Sequence, residues 1–262
     1  MALLHSIEVL VLTFNEEANI ARTLDALAAF ARVVILDSGS SDQTLRIASR
    51  YANVRVASRP FDTHAQQWNH GLTMCGITAD WVLALDADYV LTPDVVEELR
   101  TTEPPPQTHG YWASFRYCVE GRPLSASLYP PVMVLFRRES AHYVQDGHTQ
   151  RVVVRGAVQA LRHPILHDDR KGLAAWLVAQ DKYARLECDL LLRTPWRALG
   201  WRDRLRQMMF ITPWLVPVYC LTVGRGLLDG RRGLFYALQR GVAESILSLR
   251  LLQARIHRQT SP

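Results

Sequence analysis

Asp86 and Asp88 stand one alanine apart, directly after the apolar run Trp81-Val82-Leu83-Ala84-Leu85. Such a run, without polar alternation, marks a strand covered on both faces. Two carboxylates beside that core are costly unless a cation or hydrogen bonds neutralise them. In open α/β sheets, ligands bind outside the carboxyl ends of the strands. Carboxylate oxygens there are hard ligands suited to Mg²⁺ or Mn²⁺. Asp88, with Asp86, is therefore a candidate metal site. The competing reading is a strand-end turn in which Asp88 caps the next loop.

The elements that must position these residues alternate. Ile7–Phe14, Val33–Asp37, Val54–Ala57 and Trp81–Leu85 read as strands. Helical spacing follows from Asn15 or a neighbour through Ile20, Leu24, Leu27 and Ala31. Thr44–Ala52 and His64–Cys75 continue the alternation, and Thr92-Pro93-Asp94 supplies a cap, an N1 proline and an acidic first turn for a helix over residues 93–100. Strands alternating with helices over short connections predict an α/β, Rossmann-like, mostly parallel sheet. Neither Gly-x-Gly-x-x-Gly nor Gly-x-x-x-x-Gly-Lys follows the first strand. Dinucleotide oxidoreductases and P-loop NTPases are therefore disfavoured.

After Pro104-Pro105-Pro106 the alternation stops. Tyr111–Val119, Val132–Arg137 and Arg151–Val154 read as strands without intervening helices, an antiparallel section. Lys171–Arg193 reads as a long amphipathic helix. The predicted division is a catalytic domain over residues 1–194 and a helical, basic and apolar region over residues 195–262.

The 262 residues are 48% hydrophobic, ample for a packed core. Four scattered cysteines form no Cys-x-x-Cys pair, which disfavours structural zinc and fits a reducing compartment. No basic-then-apolar leader precedes Ile7, so no signal peptide is expected. The net charge of +5 conceals an asymmetry. Residues 1–150 hold 11 Lys+Arg against 17 Asp+Glu, whereas residues 151–262 hold 19 against 8.

Three separated patches resemble one family. Val11-Leu12-Thr13-Phe14-Asn15-Glu16, Asp37-Ser38-Gly39-Ser40-Ser41-Asp42-Gln43-Thr44 and Asp86-Ala87-Asp88 are similar, in order and spacing, to the family 2 glycosyltransferases of GT-A fold. Gln67-Trp68-Asn69, Leu166-His167 and Gly226-Leu227-Leu228-Asp229-Gly230 resemble bacterial lipopolysaccharide-core and polysaccharide glucosyltransferases. Tyr89 stands where many relatives carry an acid. Gln145-Asp146-Gly147-His148 stands where many carry Glu-Asp or His-Glu.

The resemblance implies inverting transfer of a hexose, glucose foremost, from a UDP-sugar to a lipid-linked or lipopolysaccharide-core acceptor. A divalent cation, Mn²⁺ or Mg²⁺, would neutralise the leaving diphosphate. Asp88 would bind it, with Asp86 on the ribose or a bound water. Asp37 would accept from the base ring, or else shape a turn. Thr13, Asn15 and Glu16 would line the nucleotide crevice, though Glu16 also suits a helix first turn. Asn69 is a weaker candidate there. Asp146 is the expected general base, which must come within about 3 Å of the acceptor hydroxyl. His148 is the runner-up, and Asp146-Gly147 also fits a hairpin turn. His163, His167, Asp168 and Asp169 would be structural or face the acceptor. A nucleotidyltransferase is a rival reading, but its first loop would be Gly- and Lys/Arg-rich, whereas Thr13-Phe14-Asn15-Glu16-Glu17 is acidic. A non-catalytic nucleotide-sugar scaffold is the other rival, and the intact Asp86 and Asp88 weigh against it.

Residues 193–262 carry 12 arginines against Asp203, Asp229 and Glu244. They flank the uncharged Met208–Val223, with its Pro213 and Pro217, and Leu234–Leu252, which has Leu234, Leu238, Val242, Ile246 and Leu249 on one face. Tryptophan beside arginine and apolar surface suggests an anionic membrane surface, not nucleic acid. Met208–Val223 is shorter than the ~20 residues a spanning helix needs. It is expected to lie along the inner face of the bacterial inner membrane, a cytoplasmic and peripheral location. A helical subdomain packed on the catalytic domain or on a second copy is the alternative.

Overall fold

The structure, a computed structural model, describes residues 3–125, 128–146 and 149–260, with the side chains at 146, 149 and 258–260 left outside the description. In chain order the elements are β1 (Ile7–Thr13), α1 (Ile20–Ala26), β2 (Val33–Asp37), α2 (Thr44–Ala48), β3 (Val54–Ser58), α3 (His64–Met74), β4 (Trp81–Asp86), β5 (Tyr89–Val90) and α4 (Pro93–Thr101). Then come β6 (Thr108–Ala113), β7 (Phe115–Val119), β8 (Arg122–Pro123), β9 (Val132–Arg137), β10 (Ala141–Asp146), β11 (Thr149–Val154), β12 (Ala157–Ala160) and β13 (Ile165–His167). Four helices follow: α5 (Leu173–Arg193), α6 (Trp201–Gln207), α7 (Thr212–Leu221) and α8 (Gly230–Thr260). The chain forms two compact units, residues 1–123 with 129–170, and residues 124–128 with 171–262.

The first unit holds a seven-stranded sheet in the order β12-β6-β9-β4-β1-β2-β3. β3, β2, β1 and β4 run parallel, while β9 runs antiparallel to both β4 and β6. This is the mostly parallel α/β sheet with an antiparallel section that the alternation predicts. β2 is buried throughout and β4 up to Asp86, as their unbroken apolar runs require. Alternate residues serve opposite cores. Val9, Val11, Ile35, Leu83 and Leu85 join α1 and α4 in one cluster. Leu10, Val34, Leu36, Val82 and Ala84 join Trp68 and Leu72 of α3 in another. Each such side chain stabilises the fold by roughly 1.5–3 kcal/mol. A one-residue slip would exchange the two faces, so the register is strongly specified. The caps are local: Thr63 Oγ1 accepts from Gln66 N at 3.2 Å, and Thr92 Oγ1 from Val95 N at 3.3 Å.

Four sequence expectations are corrected here. α1 begins at Ile20, because Asn15 has φ +53° and stands outside a helical conformation. The single strand expected over Tyr111–Val119 is two, divided at Ser114. β6 pairs with β9, whereas β7 enters a smaller sheet ordered β5-β13-β7-β8. Arg151–Val154 lies in a separate β10–β11 hairpin. The units divide after Arg170 rather than after residue 194. α5 packs on α8 through Ala184, Cys188, Leu191, Leu247 and Leu251, so burial assigns it to the C-terminal unit.

Within that unit, Arg206 of α6 joins Glu187 of α5 at 3.2 Å and Glu244 of α8 at 3.1 Å. α7 crosses α8 at Gly241, where a Cβ would stand 2.7 Å from Pro217 Cγ. Among the described residues, no helix is long and apolar enough to cross a membrane.

Candidate active site

Strand register sets the site. β1 lies between β2 and β4, with Thr13 opposite Asp37 and Leu12 opposite Asp86. The chain builds β1 to β3 on one side and then returns to the other side of β1. The carboxyl ends of β1 and β4 therefore flank a topological switch point, where crevices open in such sheets.

Asp86 ends β4, and the two-residue turn to β5 carries Asp88. Both ends of that turn are pinned. Thr23 Oγ1 of α1 donates to the Ala87 carbonyl at 2.6 Å, and Asp168 N donates to the Asp88 carbonyl at 2.9 Å. β13 pairs with β5, placing His167 opposite Tyr89. His167 Nε2 thereby reaches Asp88 Oδ2 at 3.0 Å. The rings of Tyr89, Tyr117 and Tyr129 stand 5.5, 5.1 and 4.7 Å from the imidazole. Burial pulls the His167 pKa down, but the Asp88 charge and hydrogen bond outweigh it and the net shift is upward. His167 Nδ1 is buried without a hydrogen-bond partner.

Asp37 is only 1% exposed. It accepts from Thr13 Oγ1 at 3.0 Å, from Gly39 N and Ser40 N at 2.8 Å each, and from Ser40 Oγ at 2.5 Å. A carboxylate has about four acceptor sites, and these donors occupy them. Asp37 and Thr13 thus shape the Ser38–Ser41 loop from inside.

The first two motif patches are laced together. Asn15 N donates to Ser40 Oγ at 2.9 Å, Glu16 N to Thr44 Oγ1 at 2.7 Å and Glu17 N to Asp42 Oδ2 at 3.0 Å. In return, Ser41 N donates to Asn15 Oδ1 at 2.9 Å and Gln43 N to Glu17 Oε2 at 3.0 Å. Burial opposes ionisation of Asp42, but the Thr44 hydroxyl and amide and the Glu17 amide hold its pKa below the usual range.

Glu16 joins a further network that local spacing does not reveal. Asn19 Nδ2 donates to Glu16 Oε2 and to Asp169 Oδ1, both at 2.8 Å. Asn19 Oδ1 accepts from Arg170 N at 2.8 Å. Arg22 and Arg170 both pair with Asp168, at 3.3 and 2.9 Å. This clamp fixes the segment after β13 against α1, and with it His167. Asn19, Thr23, Arg22 and Arg170 were not singled out from sequence. The one available signal is the His167-Asp168-Asp169-Arg170 run closing a short strand.

Asn69 lies on α3 and bonds to β10. Its Nδ2 donates to the Tyr143 carbonyl and its Oδ1 accepts from Tyr143 N, both at 2.8 Å. Trp68 stacks on Tyr143 at 5.2 Å. Asn69 thus holds β10 in place and spends its amide there. Burial, and then the Asp86 charge, raise the Tyr143 pKa well above the ordinary tyrosine value. The Asp146 backbone closes β10 opposite Thr149. The Asp146 side chain and His148 lie outside the described residues.

A cation would find a carboxylate and an imidazole converging at Asp88 and His167, with Asp86 beside them. Among the described residues, no group of three or more His, Cys, Asp or Glu side chains is arranged to hold a metal. Two protein ligands still suffice where diphosphate oxygens and water complete the shell. The donor set therefore fits a hard divalent ion bound together with a nucleotide.

The sequence profile described as "Glycosyl transferase family 2" matches residues 8–141, just over half of the chain. An uncharacterised glycosyltransferase of Rickettsia typhi is 32% identical over 94 residues, 36% of this chain and 31% of that protein. The lipopolysaccharide core biosynthesis glycosyltransferase LpsC of Rhizobium meliloti is 30% identical over 82 residues, 30% of each chain. The matched stretch thus spans about a third of the length of these curated relatives. Among solved structures, glucosyl-3-phosphoglycerate synthase from Mycobacterium tuberculosis, in complex with Mn²⁺, UDP and phosphoglyceric acid, aligns with a TM-score of 0.46. It is 19% identical over 72% of this chain and 78% of that one.

Proposed function

The chain belongs to the family 2 glycosyltransferases, and from that premise we propose that it is an enzyme transferring a hexose, glucose foremost, from a UDP-sugar to a saccharide acceptor with inversion. The acceptor class we propose is a lipid-linked or lipopolysaccharide-core saccharide, in keeping with the likeness to LpsC. One observation carries the reading: Asp88 and His167 converge at 3.0 Å beside the in-register tips of β1, β2 and β4.

In this reading Asp88 and His167 hold a divalent cation, Mn²⁺ or Mg²⁺, with Asp86 on the ribose or on a cation-bound water. When bound, the cation neutralises charge developing on the leaving diphosphate. The Asn15–Glu17 and Ser40–Thr44 loops form one wall of the nucleotide crevice. Asp37 and Thr13 brace that wall. Asp146, or His148 in its stead, takes the proton of the acceptor hydroxyl on the face opposite the leaving group.

The test is release of UDP from UDP-glucose with Mn²⁺, with and without a lipopolysaccharide-core acceptor. Asp88→Ala should abolish turnover while far-UV circular dichroism stays that of the folded chain. Wild-type turnover in that variant would overturn the metal role. A panel of nucleotide sugars read by thermal shift identifies the donor, because a bound ligand raises the melting temperature by mass action.

A further inference from the structure

The C-terminal unit wears its apolar side outward. Of the large hydrophobic side chains exposed among the described residues, all but Phe14, Val56, Phe61, Met74, Trp112 and Val158 lie in it. On α7 the outward positions follow a helical repeat. Ile211, Trp214, Leu215, Val218 and Tyr219 sit at i, i+3, i+4, i+7 and i+8, and all are exposed, Trp214 at 79% and Val218 at 56%. No charge falls between Thr212 and Leu221. The inner side of α7 is used up on α8, at the close crossing of Pro217 with Gly241. α8 repeats the pattern, with Leu234, Leu238, Val242 and Leu249 exposed. Exposed apolar stripes on this scale mark an interaction surface.

Charge says what covers it. The three acids of residues 193–262 are all engaged within the unit. Glu244 pairs with Arg206, Asp203 stands 3.8 Å from Arg206, and Asp229 accepts Ser125 N with both oxygens, at 3.0 and 2.8 Å. Arg225, Arg231 and Arg232 stay exposed beside the apolar stripes. The Arg202 and Arg204 guanidiniums lie over the exposed rings of Trp201 and Trp196. The unit therefore exposes apolar stripes, arginines and amphipathic tryptophans together. That combination suits the headgroup boundary of an anionic bilayer. No described helix can span one, so the unit lies on it.

We propose that the outward faces of α7 and α8 dock on an anionic lipid bilayer, with Trp214, Leu215 and Val218 entering the acyl boundary and Arg225, Arg231 and Arg232 meeting headgroups. This docking does not depend on the transfer chemistry, and either can fail alone.

Flotation of the full chain tests it, with vesicles of phosphatidylcholine alone or with about a third phosphatidylglycerol. The chain should float with the anionic vesicles and be released by salt. Two double variants separate the components: Trp214→Glu with Val218→Glu, and Arg231→Glu with Arg232→Glu. Each should lower partition roughly tenfold or more. Circular dichroism and melting should not change, because the altered side chains point away from the packed faces. Equal partition of wild type and the Trp214/Val218 variant would overturn the proposal. A chain that stays at the bottom of the gradient with anionic vesicles would do the same. Light scattering supplies a third outcome: a lipid-free dimer that this variant converts to monomer would assign the face to a second copy instead.

Discussion

His167 Nε2 stands 3.0 Å from Asp88 Oδ2, although 79 residues separate them in the chain. The contact exists because β13 inserts between β5 and β7. It sits in a tyrosine-lined pocket at the edge of the carboxylate turn.

Replacing that histidine gives the first prediction. His167→Ala should raise the Mn²⁺ concentration needed for half-maximal UDP-glucose turnover by about 10–100-fold, the range for lost support of a metal site. Asp88→Asn in the same titration should remove the response altogether. An unchanged metal curve in His167→Ala would assign the imidazole to packing alone.

Asp37 predicts the opposite balance of effects. Its four donors include the buried Thr13 hydroxyl, which would lose its acceptor, and the Gly39 and Ser40 amides. Leaving such groups unsatisfied costs about 1–3 kcal/mol each. Asp37→Ala should therefore lower unfolding stability by about 2–4 kcal/mol in urea melts, more than Asp88→Ala, which strands only His167 Nε2.

Asn69→Ala should loosen the β10–β11 hairpin. Two Tyr143 backbone groups lose their partner, again at about 1–3 kcal/mol each. Amide exchange across residues 141–154 should speed up while the β1, β2 and β4 amides keep their protection. Uniform acceleration across the sheet would show that the hairpin is not a separate unit of opening.

Acid stability carries a sign. The Arg59 guanidinium and the Thr63 amide hold Asp62 down to about 2, against a usual value of 3.8. A carboxylate depressed on folding stabilises the protein above its unfolded pKa, and the contribution fades as pH falls through the folded one. Asp62→Asn should therefore lower the melting temperature at pH 7, converge on wild type near pH 2, and so flatten the loss between about pH 4 and pH 2.

Much of the donor side was legible in sequence. Unbroken apolar runs announce β2 and β4, and each ends in the aspartate that the strand register then aligns. Asp-Ser-Gly-Ser was legible as a turn, which Asp37 shapes from inside. The Asn69 contact was hidden because its partner is a strand backbone, which has no residue signature. The clamp of Asn19, Arg22, Asp168 and Arg170 joins positions some 150 apart, and no local periodicity encodes that. The Ser114 break was hidden because the residues on both sides suit strands equally well. Only the pairing of β7 with β13 decides it.

The interleaved loops after β1 and β2 carry one last consequence. Each supplies acceptors for the other's amides, from Asn15 and Ser40 through Glu17 and Gln43. Neither can swing aside without stranding its neighbour's donors. An incoming molecule thus meets a rigid lip on this flank, already shaped before contact. Adaptation to differently sized guests must come from other segments of the rim.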